Sequence, residues 1–179
     1  MAPEDIIKQY YEEGSKLHAL LLAHSVSVAE KSLDIVRMHP EWNLDETFIR
    51  EAALLHDIGI YLTNAPEIHC FGKYPYICHG YLGADLLRKA GLERHARVCE
   101  RHTGSGISRE SILCERLPLP ARDMVPETPE EKLICFADKF YSKSHPEKVK
   151  TVEQIRKSLS RYGEESLARW DEMVKLFYE

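Results

Sequence analysis

The sequence predicts an all-α protein with a single domain over residues 1–179, and three observations support that prediction. Apolar residues recur at intervals of three and four along most of the chain, which is the period of a helix buried on one side. No stretch alternates apolar and polar residues over the length of a useful strand. The composition, 44% hydrophobic and 30% charged, is ordinary for a globular protein of 179 residues, which is long enough to bury a substantial core.

The first half of the chain contains four predicted helices. One apolar face, which defines the first helix, is formed by Leu17, Leu20, Leu21, His24, Val28 and Ile35. The second helix runs from a capping aspartate to a terminating glycine over 45–59. A third is predicted over 79–91, and a short fourth over 92–102.

The C-terminal third contains three more predicted helices. Thr128 is expected to cap a helix whose first residue is Pro129 and which runs to about Tyr141. Two amphipathic helices follow within 151–178, and we expect them to pack on a motif-bearing core at 17–143.

Two stretches, 60–78 and 103–127, are rich in glycine and proline and are predicted to be non-helical. Long loops in compact domains are often functional. The first stretch carries four aromatic residues, Tyr61, Phe71, Tyr74 and Tyr76. Such rings either stack on a nucleobase above a site or pack on the core beneath the loop, and the sequence leaves both open.

Composition and charge argue against several functional classes. With a net charge of -5 and no basic stripe, a nucleic-acid partner is not expected. No apolar run is long enough for a membrane span, and the N-terminal residues do not resemble a signal peptide, so a cytoplasmic location is expected. The five cysteines include no Cys-x-x-Cys pair, which argues against a disulfide framework and a structural zinc knuckle. A homo-oligomer stays open, because the last helix around Trp170 can cap the core or contact a second copy.

The adjacent pair His56 and Asp57, at the end of an apolar helical run, is the most informative feature of the sequence. Buried polar groups need partners, and a buried charge needs a counter-charge or a metal. The chain offers four further candidates, His24, His79, His102 and Asp138. A single histidine on an apolar face is usually a hydrogen-bonded core residue. Two acids and several histidines on inward helix faces are instead explained together by a bound cation.

These six residues predict a site for one or two metal ions. Four of them can hold one metal: His24, His56, Asp57 and Asp138. The other two, His79 and His102, can hold a second metal if Asp57 bridges the pair. Imidazole and carboxylate ligands without thiolate suit iron, manganese, zinc or nickel, and they are not the oxygen-only set of calcium. We expect iron, with manganese, zinc, nickel or magnesium as alternatives.

The order of these motifs resembles the HD superfamily of metal-dependent phosphohydrolases. The resemblance rests on His-Asp-Ile-Gly at 56–59, His-Gly-x-x-Gly-Ala at 79–84, His-Thr-Gly at 102–104 and Ala-Asp at 137–138. The set is similar to a subgroup of short, uncharacterised HDIG proteins and to HD-type bacterial diadenosine tetraphosphatases, which are dinuclear. It implies an all-α HD-domain fold and the two ligand sets given above.

The resemblance also implies an activity, namely hydrolysis of a phosphate ester or anhydride in a small, nucleotide-like substrate. His56 and Asp57 are then the catalytic pair, and Asp57 bridges the metals. Arg101 and Lys139 stand beside proposed ligands and are candidates for binding phosphate, although such cations usually stay in water. Lys73 and Lys143 are weaker candidates for the same role.

This sequence departs from its relatives at two places. Ile60 follows the His-Asp-Ile-Gly motif where many HD phosphodiesterases have a lysine, so one phosphate-contacting cation is missing. The stretch 136–140, Phe-Ala-Asp-Lys-Phe, replaces a polar run. Two other functions stay open. One is a di-iron oxygenase of the HD type, which would use the same six ligands, and the other is a non-catalytic domain in which one structural metal ties helices together.

Overall fold

The computed structural model describes residues 2–178, which form nine α-helices, and it confirms the all-α prediction. Short 3-10 helices and one antiparallel pair of two-residue strands, β1 (Asn64–Ala65) and β2 (Cys70–Phe71), connect them. The helices are α1 (Pro3–Tyr10), α2 (Lys16–Met38), α3 (Glu46–Leu55), α4 (His79–Lys89), α5 (Glu93–Arg101), α6 (Arg109–Cys114), α7 (Pro129–Asp138), α8 (Val152–Leu159) and α9 (Glu164–Phe177). None of the described helices combines the length and apolarity needed to cross a membrane.

The predicted helix starts are confirmed by their caps. The carboxylate of Asp45 accepts a hydrogen bond from the backbone N–H of Phe48 at 3.0 Å, and the hydroxyl of Thr128 accepts one from Glu131 at 3.2 Å. The predicted end of α7 at about Tyr141 is wrong by three residues. After Asp138 the backbone changes to bonds between residues three apart, which tighten the turn and end the α-helix.

The prediction that 103–127 is non-helical is wrong in part. This stretch contains the six-residue helix α6, which begins after Ser108, whose hydroxyl accepts a bond from the N–H of Ser111. Only Ile112 of its six residues is buried, and one buried position does not define a helical face in the sequence. The stretch 60–78 contains no α-helix, as predicted, and consists of 3-10 turns around the short hairpin.

The interior consists of two hydrophobic clusters. The larger one joins the second half of α2 to α3, α7 and α9. In it the indole of Trp170, fully buried, stacks on Phe136 with ring centroids 5.1 Å apart. The last helix therefore caps the core of its own chain, which was one of the two alternatives. The smaller cluster joins α1, the first half of α2, α4 and α5.

The polar motif residues lie at the junction of these two clusters. His24 follows Leu21 of the smaller cluster by one helical turn and precedes Val28 of the larger cluster by another. In the same way, His56 and Asp57 follow Ala53 of the larger cluster and precede Ile58 of the smaller one. The fold thus places the polar residues in the interior, where they need partners.

Candidate metal centre

The structure brings all six proposed ligands together in one buried cluster. The most exposed of them is Asp138, at 7%, and both His56 and Asp57 are fully buried. The six form two groups of close ligand atoms that share Asp57. The first group is His24, His56, Asp57 and Asp138, and the second is Asp57, His79 and His102. This is the division expected from the sequence, and each group could hold a metal ion.

In the first group, two imidazoles face two carboxylates. His24 Nε2 lies 2.8 Å from Asp138 Oδ1 and 3.2 Å from Asp57 Oδ2. His56 Nε2 lies 3.1 Å from Asp57 Oδ2 and 3.4 Å from Asp138 Oδ1. Two ring nitrogens and two oxygens therefore converge on one point.

In the second group, two imidazoles face the other oxygen of the shared carboxylate. Asp57 Oδ1 lies 3.4 Å from His79 Nε2 and 3.3 Å from His102 Nε2. The two Nε2 atoms are 3.0 Å apart. The two oxygens of Asp57 are thus divided between the groups, as in a bridging carboxylate.

Helix ends orient three of the four histidines. His56 and His102 follow the last residues of α3 and α5, and His79 follows a 3-10 turn. Each ring places Nδ1 within 2.6 to 2.7 Å of the carbonyl oxygen three residues earlier; the acceptors are Ala53, Cys99 and Tyr76 respectively. Carbonyls in the last turn of a helix lack helical partners. Because a carbonyl only accepts, we assign the proton to Nδ1, and the neutral ring then offers the Nε2 lone pair to a metal.

The carboxylate of Asp57 supports the fit of this cluster to metal ions. Both of its oxygens are fully buried, and neither makes a contact with the angles of a hydrogen bond, although ring nitrogens and the ammonium of Lys143 lie within 3.4 Å. A buried carboxylate without hydrogen bonds is costly. Lys143 offsets part of that cost at Oδ2, and a cation within each group of ligand atoms would supply the remaining partners, so the donor set fits two metals.

Two glycines of the recognised motifs permit the close approach of the ligand-bearing segments. A Cβ atom on Gly59 would lie 2.2 Å from the carbonyl oxygen of His79, and one on Gly83 would lie 2.6 Å from Cys99 Sγ. No side chain fits at these distances. The backbones of the segments that carry Asp57 and His79 therefore touch, and the thiol of Cys99, on the helix before His102, packs directly on Gly83.

Two lysines enter the cluster from the residues that follow α7. Lys143 Nζ lies 2.7 Å from Asp57 Oδ2, and the ammonium of Lys139 contacts Asp138 Oδ2. Burial lowers the pKa of Lys143, but Asp57 outweighs this effect and raises it well above the usual range. Lys143 was a weaker candidate than Lys139 in the sequence. No helix joins the two lysines, because α7 ends at Asp138, so helical spacing could not indicate that both side chains enter the same site.

The charges in the cluster are set by its two carboxylates. Burial raises the pKa of Asp57, but His56 and Lys143 outweigh it and hold the pKa well below its usual range. Burial lowers the pKa of His56, but Asp57 and Asp138 outweigh it and raise the pKa to about 9. Burial, together with His102, lowers the pKa of His79 to about 3. The second group therefore offers neutral imidazoles, which is the form that binds metals.

Arg101, the other predicted phosphate ligand, is not brought into the cluster. Its Nη1 atom lies 3.1 Å from Glu131 Oε2 and 3.0 Å from Glu127 Oε2, so it joins α5 to the start of α7. Lys73 is exposed, and it does not line the cavity that opens beside the six candidate ligands.

A cavity of about 380 Å³ opens beside the cluster, with His79, His102 and Asp138 in its wall. This is the size of a site for a small molecule. From the stretch 60–78, Tyr76 lines the cavity and stacks on His79 with centroids 4.6 Å apart. Tyr61 instead packs on Tyr10 and Tyr11. Each of the two roles considered for these aromatics therefore has a candidate, and base stacking stays a prediction.

One family model matches the part of the chain that carries all six candidate ligands. The model of the family described as HD domain matches residues 21–143. A Picrophilus torridus protein named tRNA (cytidine(56)-2'-O)-methyltransferase is 36% identical over 124 residues, which are 69% of this chain and 32% of that protein. Its Thermoplasma volcanium namesake is 33% identical over 123 residues, 68% of this chain and 32% of that protein.

An uncharacterised protein of Methanocaldococcus jannaschii is 33% identical over 121 residues, which are 66% of this chain and 64% of that protein. The matched region thus spans about a third of each methyltransferase-named relative and less than two thirds of the Methanocaldococcus protein. No solved structure gives a significant match.

Proposed function

This chain belongs to the HD domain family, and from that premise we propose that it is a metal-dependent phosphohydrolase acting on a small phosphorylated substrate. One observation supports this proposal more strongly than any other. The two buried oxygens of Asp57 face two separate sets of imidazole nitrogens, with no hydrogen bonds of their own. A carboxylate in that position is suited to bridge two cations.

The residues that would hold the metals follow from the two groups of ligand atoms. His24, His56, Asp57 and Asp138 would hold the first ion, and Asp57, His79 and His102 the second. When bound, such metals supply a hydroxide from water at neutral pH and polarise a phosphoryl oxygen. The carbonyls that fix His56, His79 and His102 keep the rings oriented for this purpose. Nitrogen and oxygen ligands suit iron, manganese, zinc and nickel. Iron is the metal that we propose, with the others and magnesium as alternatives.

Lys139 and Lys143 would bind the non-bridging phosphate oxygens. Both side chains line the cavity, and their ammonium groups contact Asp138 and Asp57, the two carboxylates proposed to bind metal. Ile60, where many relatives have a lysine, is fully buried. The two lysines after α7 would therefore supply, from another side of the site, the cation that Ile60 does not provide. Positioned cations of this kind stabilise charge that develops on a phosphoryl group.

The surroundings of the site favour a small substrate. The cavity can accept a molecule of nucleotide size, and Tyr76 offers a ring at its wall. Methyl transfer is not proposed for this chain, because the match covers only 32% of each relative that carries a methyltransferase name. A phosphate ester or anhydride of a small, nucleotide-like compound is the substrate class that we propose.

The decisive experiment combines metal content with a hydrolysis screen. Protein purified without oxygen or chelator should contain close to two metals per chain by mass spectrometry and should release phosphate from members of a nucleotide panel. The Asp57→Ala variant should lose hydrolysis and most of the metal, whereas His95→Ala should keep both, because His95 contacts Glu51 and Phe48 far from the ligand set.

Other results would contradict the proposal in different ways. Oxygen consumption with a mixed-valent di-iron signal, and no phosphate release, would indicate the oxygenase alternative. Bound metal with neither activity would indicate a structural metal. Hydrolysis retained by Asp57→Ala would refute the bridging role.

A further inference from the structure

One wall of the cavity comes from the C-terminal part of the chain. This wall includes Lys150, which precedes α8, Ser158, near the end of that helix, and Arg161 and Tyr162 from the 3-10 helix Ser160–Tyr162. The HD domain match ends at residue 143, so this wall lies outside the matched region. The wall belongs to the same cavity as His79, His102 and Asp138. A molecule bound at the metal cluster would therefore face it.

Two cations on this wall have no acidic partner among the described residues. Lys150 forms no ion pair, and Arg161 donates only to the hydroxyl of Tyr162, at 2.8 Å, while its guanidinium lies 4.8 Å from that ring. The third basic residue of the wall, Arg169, is occupied, because it donates to the carbonyls of Ser105 and Gly106. The free donors of the wall are thus those of Lys150 and Arg161.

The cavity as a whole has more positive than negative side chains in its wall. Five basic residues line it, against two acids, Glu115 and the proposed ligand Asp138. Burial, and after it Lys139, Lys143 and Arg161, lower the pKa of Lys150, with Asp138 acting in the opposite sense. Positive charges around one cavity repel each other, and an anion bound between them would offset that repulsion.

We propose that Lys150 and Arg161 form a second anion subsite, which binds a phosphate of the substrate other than the one held at the metal cluster. The proposal rests on the proposed function and narrows it: the substrate carries at least two phosphate groups. Lys139 and Lys143 would hold the reacting phosphate, and the C-terminal wall would hold the distal one. Because the wall lies outside the HD match, it would set the substrate preference of this chain within the family.

The test compares two ligands that a phosphohydrolase cannot cleave, methylphosphonate and a triphosphate analogue with methylene bridges. Binding to the metal-loaded protein is measured by calorimetry, and the metal content is checked after each titration because the analogue can chelate. The variants are Lys150→Gln with Arg161→Gln, and Lys157→Gln as a matched control. Lys157 is exposed on the same helix as Ser158, outside the cavity wall. Each substitution replaces one cation by a neutral glutamine, so the double variant loses two positive charges and the control loses one.

The double variant should bind the triphosphate analogue at least tenfold more weakly, because it loses the charge-assisted hydrogen bonds to the distal phosphate. Its affinity for methylphosphonate should change less than threefold, and Lys157→Gln should match the wild type. An equal loss for both ligands, or no loss for either, would overturn the subsite. Binding needs no turnover, so selective loss in a protein that cleaves no phosphate compound would support the subsite and refute the phosphohydrolase.

Discussion

The Nε2 atoms of His79 and His102 lie 3.0 Å apart, and each presents a lone pair to the other. Both rings donate their Nδ1 protons to backbone carbonyls, and burial lowers the pKa of both. Two lone pairs at this distance repel each other. Two ligands at right angles on a metal with bonds of about 2.1 Å are separated by about 3.0 Å, so one cation would turn this repulsion into two bonds.

His79→Ala should therefore reduce the metal content from two ions to one per chain. The other group of ligands, which includes His24 and Asp138, keeps all of its members in this variant. Mass spectrometry of the native protein measures the count, and His95→Ala is the control that keeps two metals. An unchanged count in His79→Ala would remove His79 from the ligand set.

Lys143 occupies a position in which it competes with a metal for Asp57. Its ammonium lies 2.7 Å from Asp57 Oδ2, on the oxygen that faces His24 and His56. Lys143→Met removes this competitor and one repelling charge, so the affinity for the first metal should rise by about tenfold. Hydrolysis should fall by about 100-fold, because the same ammonium is proposed to bind the reacting phosphate.

The measurements for Lys143→Met are a metal titration and kcat/KM. The exposed Lys148 provides the control, since Lys148→Met makes the same chemical change outside the cluster. A lower metal affinity in Lys143→Met would show that the lysine supports the fold of the site instead of competing for it.

The ligand set could be predicted from the sequence because its chemistry is carried by residue type. His24 lies on the apolar face of its helix, and His56 and Asp57 end another, so burial and the need for partners were both visible. Arg101 could not be placed by the same reasoning. Its partner Glu131 is buried, and their pairing depends on how α5 packs against α7. The available signal was spacing. Arg97 and Arg101 are four residues apart, and so are Glu127 and Glu131, which both arginines contact.

The C-terminal wall of the cavity could not be predicted from the sequence, for a related reason. Lys150 and Arg161 belong to no sequence motif. Their place in the cavity wall depends on the packing of α8 and α9 beside α7. The helices themselves follow from local periodicity, whereas a cavity between them is a property of their packing. Lys143 is an intermediate case, since it reaches the cluster only because α7 ends at Asp138 in a tight turn.

Gly59→Ala should destabilise the fold and disturb the second group of ligands. The added methyl would meet the carbonyl oxygen of His79 at 2.2 Å, and backbone cannot move aside as a side chain can. Overpacking of this kind costs about 3 kcal/mol. Urea unfolding measures the loss, and metal content should fall toward one ion per chain. Gly14→Ala is the control: it has φ +81 and nothing within 4 Å, so only strain of about 1 kcal/mol is expected.

Metal uptake should release a proton from His56 at neutral pH. In the metal-free protein Asp57 and Asp138 outweigh burial and raise the pKa of His56 to about 9, so the ring is charged at pH 7.5. A metal needs the neutral ring and displaces that proton. The apparent metal affinity should then rise by up to tenfold per pH unit between about pH 7 and 9, and level off above that range.

The same pKa fixes the sign of the stability change without metal. A folded-state pKa raised above the unfolded value stabilises the fold fully below the unfolded value of about 6.5, and this contribution is lost as the pH rises through about 9. Calorimetry in two buffers of different ionisation enthalpy should give about one proton released at pH 7.5 and none at pH 10. Release that does not change with pH would place the proton elsewhere and leave His56 neutral in the metal-free cluster.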